Sequence, residues 1–489
     1  MANEIEEIKT KLGITVKKEE DLSEWYQQVV LKSGLADYSP VSGCMVYLPW
    51  GYSIWEEIRN FLDSKLKALG HKNAYFPLFI PESLLKKESE HFKGFTPEVA
   101  WVESGGKEKL EERLAIRPTS ETIMYVMYSK WIKSYRDLPL LLNQWNNVVR
   151  WETKATKLFL RTREFLWQEG HTAHATKEEA DREVLTILNV YQDLLVNLLA
   201  IPVLVGLKSE GEKFAGALYT ATLEAIMPDG KALQAGTSHN LGQNFSRAFD
   251  IQFITKEQKK EYVWQTSWGV STRLIGALVM IHGDNKGLVL PPRVAPIQII
   301  IIPIYYSKSQ AEVIIQKSKE IKNMLLSSGL RVEIDDRDDK TPGWKFNEWE
   351  LKGVPVRLEI GPKDLEKSSV VVFRRDTLQK SVVQISDLLP VLNNLLNDIH
   401  QKMLERARKK LEESISQAED YNEFKEKLEK RGGFIKVSWC GRLECESQIK
   451  NETGASVRLI PFENNEPFKE YCFHCGEKAQ KLAYFAKSY

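Results

Sequence analysis

Apolar residues recur along the chain at spacings that predict an alternation of helices and strands. After a mixed-charge, helical lead-in over residues 1–40, apolar side chains repeat every three or four positions from Ile54 to Leu66, which predicts an amphipathic helix over residues 53–69. The Pro-bounded stretch Ala74–Ile80 favours a strand. The pattern continues in this way to about residue 290 and predicts one large unit of mixed helices and strands.

A proline-rich run, Pro291-Pro292-Arg293-Val294-Ala295-Pro296, separates this unit from a second pattern. Proline fixes its own φ and restricts the residue before it, so the run predicts an extended boundary segment. Beyond it, Ile297–Ile302 predicts a buried strand, and Ser309–Ser328 predicts a helix that ends at Gly329. Further strands are predicted at Arg331–Asp335, Val356–Ile360 and Ser369–Arg374. This second unit is therefore of the α/β type.

From about Leu388 the sequence becomes helical and densely charged, before a compact end that contains four cysteines. The chain therefore divides into an N-terminal unit (residues 1–290), a middle unit (residues 291–400) and a C-terminal unit (residues 401–489). A chain of 489 residues is long enough for about three domains, each with a core of its own.

The composition is that of an ordinary globular protein, with 43% hydrophobic and 28% charged residues, which excludes disordered, collagen-like and disulfide-scaffold classes. The 68 basic and 67 acidic side chains leave a net charge of +1, so any nucleic-acid surface must be a local patch. No apolar run reaches the roughly 18 residues of a membrane span. The start of the chain is acidic where a signal peptide is basic. We therefore expect a cytoplasmic protein without membrane contact.

Four of the five cysteines lie in the last 50 residues, as Cys440-x4-Cys445 and Cys472-x2-Cys475. Two thiolate pairs at chelating spacings predict a four-cysteine structural zinc site, with no open position for catalysis. His474 lies between the last two cysteines and is an alternative ligand. The competing interpretations are four unrelated buried thiols, or two disulfides, which are rare in a reducing compartment.

The common nucleotide-binding loops are missing from the sequence, since it has neither a Gly-x-x-x-x-Gly-Lys-Ser/Thr loop nor a Gly-x-Gly-x-x-Gly turn after a strand. If the protein uses ATP, arginines and an antiparallel sheet must therefore hold it in place of a phosphate loop. Three segments offer such arginines: Asn147–Glu152, Phe159–Phe165 and Trp268–Gly276. The first predicts a strand with Arg150 and Glu152 on one face, and the third predicts that Arg273 begins an apolar helix.

In this order, the segments resemble the three signature motifs of class II aminoacyl-tRNA synthetases. The first motif is matched by Gly70 to Pro77, the second by Arg150, Glu152, Arg161 and Phe165, and the third by Gly269 and Arg273. The class I patterns His-Ile-Gly-His and Lys-Met-Ser-Lys-Ser do not occur. Four more segments resemble the prolyl-tRNA synthetase family in its archaeal and eukaryote-like form: Ile116–Thr122, Phe165–His171, Gln234–His239 and Pro342–Asn347. The resemblance extends from about Asp21 to Tyr489.

The resemblance implies an α+β catalytic domain with the antiparallel sheet of class II synthetases, an α/β anticodon-binding domain and a small zinc-binding α/β C-terminal domain. It implies a ligase that activates proline with ATP and Mg²⁺ to prolyl-adenylate and pyrophosphate, then transfers proline to the 3′ end of tRNA(Pro). It also implies a homodimer through the motif around Gly70–Pro77. Between Gly170 and Ser267 the chain has no room for the long editing insertion of the bacterial form, so hydrolysis of mischarged tRNA is not expected.

The resemblance also implies which residues bind the two small substrates. ATP is expected to contact Arg150, Glu152, Arg161, Gln234, Thr237, Ser271 and Arg273. Proline is expected to contact Thr119, Glu121, Arg150, Trp167, Glu169, His171, Phe214 and His239. Arg150 and Arg273 are the expected catalytic residues, because charge develops on phosphoryl oxygens during activation and positioned cations stabilise it.

Anticodon binding is assigned by the resemblance to Phe346, Glu350, Arg357 and Lys363 of the middle unit. Proline anticodons carry two guanines, whose edges suit basic donors and a carboxylate acceptor. The competing interpretation is that Phe346 belongs to the core and the others form a solvated face. At the far end of the chain, residues 487–489 are expected to be ordered and to lie toward the active site.

Two other functions compete with the ligase. A synthetase-like sensor of uncharged tRNA would be expected to lack part of the Arg150, Glu152 and Arg273 set, and all three are present. A sister enzyme for threonine or serine would share the core or the anticodon domain. A threonyl enzyme would carry cysteine and histidine zinc ligands in its catalytic pocket, whereas no cysteine lies between Cys44 and Cys440.

Overall fold

The computed structural model describes residues 13–91, 98–153, 155–463 and 465–489. Residues 1–12 of the predicted helical lead-in lie outside this range. The N-terminal unit consists, in chain order, of α1 (Leu22–Lys32), β1 (Ala36–Tyr38), β2 (Met45–Tyr47), α2 (Pro49–Ala68), β3 (Lys72–Asn73), β4 (Phe79–Pro81), α3 (Glu82–His91), β5 (Trp101–Gly105), β6 (Glu108–Ile116), α4 (Glu121–Trp131), β7 (Leu140–Val149), β8 (Glu164–His174), α5 (Lys177–Asp193), β9 (Leu204–Leu207), β10 (Tyr219–Ile226), β11 (Ala232–Gly242), α6 (Asn244–Ala248), β12 (Gln252–Ile254), β13 (Lys260–Tyr262), β14 (Trp264–Ser271) and α7 (Arg273–His282).

The main sheet of this unit has the strand order β9-β10-β11-β14-β8-β7-β3. Neighbouring strands in this sheet are antiparallel, apart from the short parallel pair of β3 and β7. Helix α5 starts at a capping box between Thr176 and Glu179 and contributes Val184, Ile187 and Tyr191 to a buried apolar cluster. That cluster also takes in the apolar sides of α1, α2 and α7, so helices cover one face of the sheet.

Two local predictions in this unit are wrong. Residues 74–78 do not form the strand predicted over Ala74–Ile80, since only the flanking β3 and β4 pair with neighbours. Pro77 has no N–H to give a ladder, and the Phe76 N–H is bonded to the Gln144 side chain instead. The strand predicted over Asn147–Glu152 ends at Val149, because the next backbone N–H, that of Arg150, turns to the Arg163 carbonyl at 2.8 Å.

The middle unit is a five-stranded sheet of order β16-β15-β17-β18-β19 flanked by helices. Its elements are β15 (Ile299–Pro303), α8 (Lys308–Ser327), β16 (Val332–Ile334), α9 (Pro342–Leu351), β17 (Val356–Ile360), α10 (Pro362–Glu366), β18 (Ser369–Arg374) and β19 (Gln379–Gln384). Strands β15, β16 and β17 are parallel and the others antiparallel. The predicted α/β pattern is confirmed, including the helix end at Gly329, whose φ is 82°.

The C-terminal unit does not stand apart from the rest of the molecule. It follows α11 (Leu388–Glu413) and contains β20 (Ile415–Gln417), α12 (Tyr421–Lys430), β21 (Phe434–Trp439), α13 (Leu443–Thr453), β22 (Ser456–Pro461) and β23 (Lys481–Ala486). Strand β22 pairs with β9, with Ile460 opposite Leu207, so the two units share one eleven-stranded sheet. The boundary predicted after residue 400 falls inside α11, because the buried stripe of that helix continues through Leu411.

Within the described ranges, no helix combines the length and the apolar character that a membrane crossing requires.

Candidate active site and metal centre

Strand β8 has the helix-covered face of the main sheet on one side and a cavity on the other. Side chains alternate along a strand, and Gln168 points to the helix side, where its amide is hydrogen-bonded to the Tyr191 hydroxyl of α5 at 2.7 Å. Trp167, Glu169 and His171 therefore point to the other side, where they line a cavity of about 510 Å³. Gly170 allows this arrangement, since a Cβ there would lie 2.1 Å from the Trp268 ring.

The structure brings together almost all the residues predicted to bind ATP and proline. The cavity is lined by Thr119, Glu121, Arg150, Glu152, Trp167, Glu169, His171, Phe214, Gln234, Thr237, His239, Ser271 and Arg273. Arg161 is not part of the lining, although its Nε lies 3.9 Å from Glu152 Oε2. Several other residues also line the cavity without having been predicted as site residues, among them the polar Glu212 and Thr220. An isolated acid and a strand threonine carry no spacing signal that could have identified them.

One end of the cavity collects positive charge. Arg273 begins α7, and its Nε donates to the Leu160 carbonyl at 3.1 Å. Burial, followed by the nearby charges of Arg150 and Arg161, lowers the pKa of Arg273 to about 10, so it stays cationic at neutral pH. Arg150 Nε donates to the Pro118 carbonyl at 3.1 Å, and its guanidinium lies 5.5 Å from the ring centres of Phe165 and Trp167. Such a cluster of cations favours a polyanion.

The other end of the cavity holds two carboxylates and a histidine. The Thr119 hydroxyl donates to Glu121, and Glu169 accepts from the Asn146 amide at 2.7 Å. His171 Nε2 lies 3.0 Å from Glu169 Oε2. Burial opposes a charge on His171, but the carboxylates of Glu121 and Glu169 outweigh it and raise the pKa of His171. When His171 is protonated, it balances one of the two carboxylates, and one anion is left that can receive an ammonium group.

An apolar wall closes the carboxylate end. The rings of Phe214 and His239 lie 4.8 Å apart at an angle of 34°. His239 Nδ1 is hydrogen-bonded to Thr220 Oγ1 at 2.8 Å. Burial, with the nearby His171 and Lys208 charges, lowers the pKa of His239 to about 3, so His239 is neutral at neutral pH. A neutral ring beside a phenyl ring suits a small apolar substrate group.

The four predicted anticodon-binding residues lie in the middle unit, but they differ in accessibility. Lys363 is exposed and Phe346 is partly buried. Arg357 is buried, with its guanidinium about 4 Å from the ring centres of both Phe346 and Phe373. The Nη1 group of Arg357 donates to Glu350 Oε1 at 3.1 Å. Glu350 and Arg357 therefore form an ion pair against aromatic rings, and Lys363 stands outside it.

The four cysteines of the C-terminal unit converge as their spacing predicts. The Sγ atoms of Cys440, Cys445, Cys472 and Cys475 all lie within 4.8 Å of one another. Cys445 and Cys472 are 3.9 Å apart, and Cys440 and Cys475 are 3.6 Å apart. A tetrahedron with Zn–S bonds of about 2.3 Å has edges of about 3.8 Å, so the cluster fits zinc. None of the four forms a disulfide, and His474 Nδ1 lies 3.3 Å from Cys445 Sγ.

Tyr489 packs against the N-terminal unit. Its hydroxyl donates to Asp229 Oδ2 at 2.8 Å, and its ring centre lies 5.1 Å from Lys231 Nζ and 5.7 Å from Lys157 Nζ. Lys157 exchanges two backbone hydrogen bonds with Arg161. Tyr489 therefore lies close to the loop of Arg161, although it does not line the cavity.

Comparisons with known families match three parts of the chain. The model for the class II core domain of tRNA synthetases (G, H, P, S and T) matches residues 101–282. An anticodon-binding domain matches residues 298–395, and the C-terminal domain of prolyl-tRNA synthetase matches residues 421–489. Residues 170–267, all described by the structure, form elements of the N-terminal unit, and no editing insertion interrupts them.

Relatives match along nearly their whole length. The proline–tRNA ligase of Natranaerobius thermophilus is 55% identical over 96% of this chain and 97% of that protein, and the one from Cenarchaeum symbiosum is 52% identical over 98% and 100%. The crystal structure of Cryptosporidium parvum prolyl-tRNA synthetase, complexed with halofuginone and AMPPNP, has a TM-score of 0.92 and 46% identity over 98% of this chain and 99% of that chain. The chain therefore belongs to the prolyl-tRNA synthetase family, the class II ligases that join proline to tRNA.

Proposed function

We propose that the two ends of the cavity bind ATP and proline side by side, with Arg150 between them. The observation that carries this proposal is the position of Arg150. The carboxylates of Glu121 and Glu169 at one end favour its charge, and its charge in turn acts on Arg273 at the other end. A guanidinium with five donors can bind the carboxylate of proline and the α-phosphate of ATP together.

At the amino-acid end, Glu121 accepts the secondary ammonium of proline with help from Thr119, and Glu169 and His171 hold that pair in place. Trp167, Phe214 and His239 surround the ring of the substrate. No general base is needed, because the carboxylate of proline is already ionised at neutral pH. Proline attacks the α-phosphorus of ATP, and pyrophosphate leaves.

At the nucleotide end, Arg273 stabilises the γ-phosphate and Arg161 supports it from the loop, while Gln234, Thr237 and Ser271 contact the nucleoside. Glu152 accepts from the adenine amino group or helps to hold Mg²⁺, for which a carboxylate oxygen is a suitable ligand. Magnesium neutralises charge on the phosphates when it is bound. The two arginines pre-organise positive charge where the transition state develops negative charge.

The remaining assignments concern partners and location. Phe346, Glu350, Arg357 and Lys363 bind the anticodon of tRNA(Pro), and the four cysteines hold a structural zinc ion. Two chains form a homodimer through the surface around Gly70–Pro77. In support of the dimer, several large apolar side chains between residues 38 and 79 are exposed, including Tyr75 at 70% and Phe79 at 44%. The enzyme works in the cytoplasm.

ATP–pyrophosphate exchange with a panel of amino acids tests the substrate assignment. Proline alone should support rapid exchange, and threonine, serine and alanine should give far slower rates. Comparable exchange with threonine or serine would favour the sister enzymes. If the protein binds tRNA but supports exchange with no amino acid, it is a sensor of tRNA, and the proposal is contradicted.

A further inference from the structure

The segment of residues 208–218, between β9 and β10, has two faces. Its inner face carries Phe214, which lines the cavity, whereas Glu212 lines the cavity and also reaches α13 with its carboxylate. Its outer face rests on α13 of the C-terminal unit. The segment thus lies between the proposed proline site and a helix that begins 225 or more residues later in the chain.

Three contacts join the segment to α13. Ser209 Oγ donates to Glu446 Oε1 at 2.6 Å, and both residues are buried. Lys450 Nζ donates to Glu212 Oε1 at 2.7 Å. The backbone at Gly211 is close to the helix, because a Cβ there would lie 2.9 Å from both Glu446 Oε2 and Leu443 Cδ1. The segment is therefore packed closely against α13 at Gly211, where an added methyl group would displace the Leu443 and Glu446 side chains.

A buried ion cluster fixes the start of the segment to the same unit. Lys208 Nζ lies 2.6 Å from Glu224 Oε1. Arg458 of β22 lies 3.0 Å from the other oxygen of that carboxylate. Together the two cations hold the pKa of Glu224 below its usual value, against the effect of its burial. A buried carboxylate with two cationic partners strongly resists separation of the two units.

Hydrogen bonds within the segment transmit its position to the cavity. The Ser209 carbonyl accepts the N–H groups of Glu212 at 3.2 Å and Lys213 at 2.9 Å. The Phe214 N–H donates to Thr220 Oγ1 at 3.0 Å, the same hydroxyl that is bonded to His239. A shift of Ser209 on α13 therefore moves Glu212 and Phe214 relative to His239.

We propose that α13 of the C-terminal unit positions the proline pocket, with Glu446 and Lys450 as positioning residues that hold the 208–218 segment in place. This inference rests on the proposed proline site at Phe214 and His239. It gives the C-terminal unit a role in the affinity for the amino acid, in addition to the structural zinc site proposed for its cysteines. ATP binding, at the other end of the cavity, should be nearly independent of these contacts.

Kinetics of proline-dependent pyrophosphate exchange test the inference. Lys450→Met should raise the KM for proline by about threefold to fivefold, as expected for a half-exposed ion pair, and Lys450→Arg should restore it. Ser209→Ala should raise the KM by about tenfold, since it removes the buried hydroxyl that donates to the Glu446 carboxylate. The KM for ATP should stay within about twofold in both variants. The matched control is Lys430→Met, whose ion-pair partner Glu426 lies on its own helix, α12.

Hydrogen–deuterium exchange of amides 209–214 supplies a second readout that does not depend on activity. It should be faster in Lys450→Met and Ser209→Ala and unchanged in the control. A proline KM and an amide exchange rate that both match the wild type would overturn the positioning role, provided that Phe214→Ala raises the proline KM. If Phe214→Ala has no effect either, the proline site itself is misassigned, and the positioning role fails with it.

Discussion

Arg375 of the middle unit and Asp284 of the N-terminal unit form a two-fold hydrogen-bonded ion pair, with N–O distances of 2.6 and 2.7 Å. The same guanidinium donates to the backbone carbonyl of Glu350 at 2.8 Å. Bidentate arginine–carboxylate pairs are among the stronger polar contacts in proteins. The backbone of the proposed anticodon acceptor is thus fixed directly to the N-terminal unit, and its side chain can be changed without loss of that anchor.

Glu350→Gln should impair tRNA charging and spare amino-acid activation. The substitution keeps the shape of the side chain but removes the anion that would accept from guanine. A good base-edge contact contributes about 1–3 kcal/mol of discrimination, so kcat/KM for tRNA should fall by roughly tenfold or more. The exposed control Glu366→Gln should leave both steps unchanged. Equal losses in exchange and in charging would indicate a folding defect and would refute the anticodon role.

Arg150→Ala and Arg273→Ala should each nearly abolish proline activation. Removal of one pre-organised donor to a developing charge typically costs about 2.7–4 kcal/mol, or a factor of 10² to 10³ in kcat. The measurement is proline-dependent pyrophosphate exchange on folded protein, with the exposed Arg247→Ala as control. If either variant keeps activity within about threefold of the wild type, its assigned role is wrong.

Purified protein should contain about one zinc ion per chain, because four thiolates complete a tetrahedral site. Cys445→Ser should lose the metal and lower the unfolding midpoint. Cys44→Ser removes a cysteine far from the cluster in sequence and should keep the metal. A folded, metal-free wild-type protein, measured by elemental analysis, would be incompatible with the zinc assignment.

His171→Gln should destabilise the protein in a pH-dependent way. The pKa of His171 is raised in the fold, so the stabilisation from its charge is fully present below the unfolded pKa of about 6.5 and disappears as pH rises through the folded pKa. The difference in unfolding midpoint between wild type and variant should therefore be larger at about pH 5 than at about pH 9.

His174→Gln is the matched control. Burial lowers the pKa of His174, so its effect on the pH dependence of stability is opposite to that of His171. Because its pKa is lowered in the fold, wild-type His174 costs stability as pH falls below the unfolded pKa of about 6.5. Removing it should relatively stabilise the protein in acid. Parallel pH profiles for the two variants would contradict the assigned charge states.

Tyr489→Ala should weaken ATP use while leaving the zinc content unchanged. The ring is close to both Lys157 and Lys231, and the Lys157 backbone is paired with that of Arg161. Loss of the ring frees the loop, so we expect a rise of a few-fold in the KM for ATP. The exposed Tyr471→Ala in the same unit is the control. An unaltered KM for ATP would limit Tyr489 to a packing role.

Periodicity predicted the elements whose contacts are local. Helix α8 and strand β17 follow directly from the spacing of their apolar residues, and the four cysteines converge as chelating pairs do. The end of β7 leaves no periodic signal in the sequence, since it depends on a hydrogen bond from the Arg150 N–H to the Arg163 carbonyl across a loop. The pairing of β9 with β22 could not be predicted either, because neither strand signals its partner.

Much of the candidate site was predicted through resemblance, residue by residue. Thr119 and Glu121 illustrate this, since a threonine and an acid two positions apart occur in many surface loops. Glu212 and Thr220 were missed because their roles come from packing, one against α13 and the other against His239. Contacts between distant segments leave no trace in local spacing.

The shared eleven-stranded sheet also matters while the chain is being made. Lys208, directly after β9, and Arg458 of β22 are 250 residues apart. At a synthesis rate of roughly 5–20 residues per second, the edge of β9 waits about 12 to 50 s for its partner to leave the ribosome. An open edge strand can recruit a wrong neighbour, but a very short one offers few free hydrogen-bonding groups. With only four residues, β9 exposes little edge to other nascent chains during that wait.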